Sequence, residues 1–164
     1  VGASVVTPEQ CAIWSYPLQD GDDEEVIFNM VNSMLLRIHQ SGYLNKVKGH
    51  RLELVTEGIK TYKTYRHQIS TGLPIWPSGL SQLDDPWFSY GFKNKNEIYL
   101  AVWRGISQDD NYTVPLVKYG KVERVEQIYP QVDTNTSFDF DDETLSLSFS
   151  KNKVARLYRV GLEK

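Results

Sequence analysis

The chain has 164 residues, 40% of them hydrophobic, and a formal net charge of -3 with both signs mixed along its length. That length and apolar fraction suit one medium domain, or a small domain with a piece of another, and the lack of a basic stripe argues against nucleic acid as a partner. A single cysteine, Cys11, excludes an internal disulfide, and no apolar run approaches the roughly 18 to 20 residues that cross a bilayer, so the sequence reads as soluble, without membrane contact, and cytoplasmic.

The chain opens on "VGASVV", an apolar, strand-like run without the basic and long apolar regions of a signal peptide. A start inside a strand is what a piece of a longer protein would show. The next periodic segment, "GDDEEVIFNMVNSMLLRIHQSG", places Ile27, Met30, Val31, Met34, Leu35 and Ile38 at the spacing of one helix face. Asp22 to Glu25 favour the positive end of that helix, Arg37 and His39 its last turn, and Gly42 its stop. Leu52, Val55, Ile59 and Tyr62 predict a second helix over about 50 to 67, and the short connection predicts an antiparallel pair.

Near residue 70 the period changes. "WFSYGF" and "EIYLAVWRG" flank "KNKN", which reads as a hairpin turn; in the second strand Ile98, Leu100 and Val102 share one face and Tyr99, Ala101 and Trp103 the other, so both faces should be covered. Further short strands are expected in "YTVPLVKY", "KVERVEQIYP", "TLSLSF" and "KVARLYRVGL", with Pro115 at an edge or bulge. The fold class is therefore α+β, two N-terminal helices packed on a C-terminal antiparallel β-sandwich. Between the halves lies "GLPIWPSGLSQLDDPWFSYGF", Gly72 to Phe92, whose prolines hold the preceding residues extended.

Few residues suggest chemistry. Cys11 reads as a buried apolar cysteine, His39 and His67 as side chains near helix C-terminal ends, and His50 lacks a ligand spacing, so no metal or cofactor is expected. Asp84-Asp85, Asp109-Asp110 and Asp139 with Asp141-Asp142 are adjacent acids of the kind that cap turns, and no catalytic residue is assigned. The two sequons, Asn111-Tyr112-Thr113 and Asn135-Thr136-Ser137, matter only in a secreted chain. Aromatic content is the remaining feature: Trp87 and Trp103 fall inside strands and read as interlayer packing, whereas Trp14 and Trp76 fall in loops and are open to a sugar ring.

Six segments taken in order resemble the C-terminal part of glycoside hydrolase family 36, the α-galactosidases and their relatives: "PEQCAIWSYP", "DEEVIFNMVNSMLLRIHQSGYL", "EGIKTYKTYR", "LPIWPSGLSQLDDPWFSYGF", "IYLAVWR" and "ARLYR". The resemblance implies that residues 1–70 are the end of a (β/α)8 catalytic barrel, its last strand and final helices, and that residues 71–164 are the C-terminal β-domain. It implies a retaining hydrolase acting on an α-galactoside, whose two catalytic aspartates would lie upstream of Val1, so this portion would support the barrel without catalysis of its own. "VGASVV" resembles the family's segment M-G-A-H-V-S, which implies that Gly2 approaches the sugar; Ser4 stands where the family has histidine. Trp14 would edge the same pocket. Two other readings stand beside this one: an autonomous carbohydrate-binding module using Trp76 or Trp14, and a homo-oligomerisation module.

Overall fold

A computed structural model describes residues 4–82, 84–133 and 135–163. The chain begins as two β/α units. Strand β1, Ala12–Ser15, leads into helix α1, Asp23–Met34, which returns the chain to strand β2, Arg37–Gln40; helix α2, His50–Tyr65, follows. β1 and β2 pair in parallel, with Trp14 opposite His39 and Ser15 opposite Gln40.

This order corrects several expectations. The first helix stops at Met34 rather than running to His39, because Arg37–Gln40 satisfies its backbone against β1. The apolar spacing at the end of that helix also fits an alternating strand, in which Leu36 and Ile38 turn inward and Arg37 and His39 outward. His39 is thus a strand residue and caps no helix. Trp14 likewise lies in a strand, not a loop. Ser4 to Val6 form no strand, and Val5 and Val6 are exposed. Lastly, the helices run side by side in parallel: His50 and Arg51 at the start of α2 meet Asp23 and Glu25 at the start of α1, while Tyr62 and Tyr65 at its end donate to the Leu36 and Met34 carbonyls. The intervening strand runs back against α1 before α2 turns again, a second reversal that a bare helix–loop–helix lacks. The acidic start of α1 behaves as expected, with the Asp22 carboxylate accepting from the Glu25 N–H at 3.0 Å.

The β-rich part comprises β3 (Leu73–Ile75), β4 (Trp87–Asn94), β5 (Glu97–Arg104), β6 (Asn111–Pro115), β7 (Val122–Tyr129), β8 (Thr136–Phe140), β9 (Thr144–Phe149) and β10 (Val154–Leu162). They form two antiparallel sheets, ordered β3-β4-β5-β10-β7 and β6-β9-β8. The α+β sandwich expected from the sequence is thus observed, and the β4–β5 hairpin closes through Lys95 and Asn96. Pro115 ends β6, an edge strand, where its missing N–H costs no ladder bond.

The five-stranded sheet is the middle of three layers. Tyr99, Ala101 and Trp103 pack with Val26, Met30, Met34 and Tyr65 of the helices, while Ile98, Leu100 and Val102 pack with Val114, Leu145 and Phe149 of the three-stranded sheet. The alternation in β5 is therefore read out as two cores. Trp87 stacks on Tyr112 across the sandwich, and Trp103 stacks on Phe88 while its indole N–H donates to Asn32 Oδ1, so both tryptophans serve interlayer packing.

Candidate functional site

Strand alternation fixes the first candidate region. The buried Ser15 hydroxyl reaches Met30 Sδ of α1 at 3.3 Å, so the opposite face of β1 carries Trp14, which is 71% exposed. His39, its partner in register, is exposed too, as are Ala12 and Arg37. The helices cover one face of this parallel pair and leave the other bare, an arrangement that parallel sheets rarely tolerate. At the carboxyl ends of the strands, Ser41 N–H and the Gln40 side-chain amide both donate to the Ser15 carbonyl, while Gln40 Oε1 is buried and has no partner among the described residues.

Above those ends lies a hollow of about 390 Å³, walled by Tyr16, Pro17 and Tyr43 with Asp20 and Lys46 at its rim. Gly42, at φ 86°, lets the Tyr16 ring lie over the backbone, since an added Cβ would meet the ring at 3.1 Å. Lys46 Nζ sits 4.6 Å from the Tyr43 ring centre. Gly2 lies outside the described residues, so its approach to a ligand has no geometry here. Ser4 lines a different cavity.

That cavity is a cleft of about 450 Å³ where the crossing segment meets the start of β1 and the end of α1. Trp76, Phe88, Tyr90 and Trp103 form its walls, with Asn32, Ser81, Gln82 and Ser89 supplying polar groups. Trp76 and Tyr90 contact each other with ring centres 5.6 Å apart.

Several titratable groups are engaged structurally. Cys11 is buried and free. Asp141 accepts from the Glu143 and Thr144 N–H groups, which hold its carboxyl below the usual range. Asp85 accepts from the Gln82 N–H, and Asp109 from that of Asn111. These are the turn-capping roles expected of adjacent acids. Among the described residues no three His, Cys, Asp or Glu side chains are grouped to hold a metal ion.

The sequence reading missed a buried ionic cluster. Arg156 on β10 is fully buried and donates all five of its N–H groups: to Glu24 Oε2 and Oε1 at 2.8 and 2.7 Å, to Asp133 Oδ2 and Oδ1 at 2.5 and 2.9 Å, and to the Ala155 carbonyl at 2.7 Å. Burial acts to raise the Asp133 carboxyl, but the bonds from Arg156 and Thr136 outweigh it and hold the group down to about 2. Charged residues inside a strand were the signal: an arginine within the apolar run of β10 needs a partner. The aromatic rim, Tyr16 and Tyr43, also went unremarked, because each falls in irregular backbone after a strand.

No protein-family model matches the chain. No curated protein matches it in sequence. Solved structures do match in fold. A γ-CGTase from alkalophilic Bacillus clarkii superposes over 95% of this chain with a TM-score of 0.57 and 12% identity; a noncanonic maltogenic α-amylase, AmyB, from Thermotoga neapolitana does so over 93% with a TM-score of 0.55 and 10% identity. The galactosidase domain of the α-galactosidase-sucrose kinase AgaSK matches 74% of the chain with a TM-score of 0.51 and 15% identity. The chain spans 27%, 41% and 19% of those proteins respectively, and at these identities the likeness is one of fold.

Proposed function

We propose that this chain is the C-terminal portion of an α-galactosidase-like retaining glycoside hydrolase, in which β1-α1-β2-α2 completes the catalytic barrel, the β-sandwich buttresses it, and residues 1–70 and 71–164 divide the two roles. The observation that carries the reading is the bare parallel pair. Two β/α units in succession, covered by helices on one side only and followed directly by an antiparallel sandwich, are what the last quarter of a (β/α)8 barrel presents when cut from the rest. The order of the six family-like segments and the folds of the glycosidase-related neighbours support it.

In a barrel the uncovered face turns inward and the carboxyl ends of the strands form the reaction face. Trp14 would then face the interior beside His39, and its ring would edge the pocket for a terminal sugar, with Gly2 at the close approach that the resemblance assigns. Among the described residues Asp85, Asp109 and Asp141 of the adjacent acids accept backbone N–H bonds in turns, and the nucleophile and acid would come from upstream barrel strands.

The test compares two chains on p-nitrophenyl α-galactoside. The 164-residue chain alone should give no turnover, and the same chain produced contiguously with its upstream reading frame should hydrolyse it, with a raised KM in Trp14→Ala. Turnover by the short chain alone, lost on substitution of one of its own carboxylates, would refute the reading.

A further inference from the structure

We infer that the cleft between the crossing segment and α1 is a second, non-catalytic binding site for a neutral saccharide. The inference rests on the lining of the cleft and not on the barrel reading, because the cleft adjoins the amino-terminal ends of β1 and β2, away from the rim formed by Tyr16 and Tyr43.

Size and composition define the ligand class. The volume of about 450 Å³ falls in the range of small-molecule sites, and among the described residues every side chain that lines it is uncharged. An anion or cation would find no countercharge there. A purely apolar ligand would leave the amides and hydroxyls of Asn32, Ser81 and Gln82 facing it unpaired. A pyranose ring has the matching chemistry, with an apolar C–H face for the indole of Trp76 and hydroxyls at its edge for the amides.

The platform is also set in advance. The Trp76 carbonyl accepts from the Gly79 N–H at 3.1 Å and from Lys118 Nζ at 3.5 Å, and the Tyr90 ring packs against its indole at a tilt of 45°. A contact between the Ser78 and Ser89 hydroxyls at 3.2 Å ties the segment to β4. Asn32 is oriented by the Trp103 indole, which donates to its Oδ1 at 2.8 Å and leaves its Nδ2 donors available to a ligand. A rigid aromatic wall with a fixed donor loses little freedom on binding, which is the condition for affinity from few contacts. The crossing segment would then be both joint and binding wall.

Saturation-transfer NMR of the 164-residue chain with melibiose and with maltose, alongside tryptophan fluorescence titrations, tests this. Saturable binding of at least one sugar is expected, weakened roughly tenfold in Trp76→Ala. Asn32→Asp keeps the acceptor for Trp103 and removes the Nδ2 donors, and it should weaken binding without unfolding the chain. Absence of binding by either sugar at millimolar concentration would overturn the inference, and so would binding that survives Trp76→Ala but is lost in Trp14→Ala, which would place the sugar on the barrel-facing side.

Discussion

Replacing Arg156 by methionine isolates the largest electrostatic commitment in the molecule. The substitution removes the cation and leaves the Glu24 and Asp133 carboxylates, whose side chains are only 8% and 7% exposed, facing one another without their partner. Breaking a buried ion pair costs about 3–5 kcal/mol, and with two carboxylates orphaned the upper end, about 5 kcal/mol, is expected. For a domain of this size that corresponds to a fall in Tm of about 10–20 °C, read by circular dichroism. Acid separates this cause from lost packing. In the wild type the folded Asp133 carboxyl lies near 2 against an ordinary 3.8, so its contribution of about 2 kcal/mol is present above pH 3.8 and lost as the pH falls towards 2. In Arg156→Met the bonds and charge of the guanidinium are gone, and burial, the largest influence on that carboxyl, raises it against the remaining bonds from Thr136 and Asn135, so protonation relieves the variant and its deficit against wild type should shrink as the pH falls from 7. A loss below about 1 kcal/mol, the value of an exposed pair, or a deficit that does not change with pH, would refute the argument.

Gly91→Ala should destabilise by about 2 kcal/mol or more in urea unfolding, since a Cβ there would stand 2.5 Å from the Tyr99 carbonyl oxygen on the neighbouring strand, where backbone cannot yield cheaply. Trp103→Phe keeps the stacking surface against Phe88 but deletes the donor to Asn32, and a loss of about 1–2 kcal/mol is expected. His50 is raised above 6.5 by its hydrogen bond to Asp23 and by that carboxylate's charge, so its small contribution is complete below pH 6.5 and lost as the pH rises through the folded value. An NMR titration should show the raised midpoint, and Asp23→Asn should lower it.

What could be read in advance was whatever repeats locally. The alternation of Ile98 to Trp103 gave two buried faces, "KNKN" a turn and Pro115 an edge, because each depends on a few adjacent residues. The end of the first helix was not legible, since Met34, Leu35 and Ile38 satisfy a helical period while Leu36, Ile38 and Gln40 satisfy an alternating one, and only pairing with Ala12–Ser15 decides between them. That single ambiguity hid a strand and so reversed the relative direction of the two helices. The partners of Arg156 were beyond reach for a different reason: Glu24 and Arg156 are 132 residues apart, and as text Glu24 is one of four acids at a helix start. Of the candidate site, the tryptophans were visible and the face each occupies was not.

The change of period near residue 70 is a change of secondary structure, while the packing runs across it. Met30 and Met34 of α1 and Tyr65 of α2 share one core with Phe92, Tyr99, Trp103 and Leu157 of the sheet, and Tyr65 stacks on Tyr99 at 4.5 Å. Arg156 adds an ionic bond from β10 to the first turn of α1, so the sandwich grips that helix near both ends, by Trp103 with Asn32 at one and by Arg156 with Glu24 at the other. A helix held at two points cannot slide along the sheet, and the strands on either side of it, β1 and β2, inherit that register. The sandwich therefore acts on the bare face of the parallel pair without touching it: it sets where Trp14 and His39 stand by fixing the helix behind them.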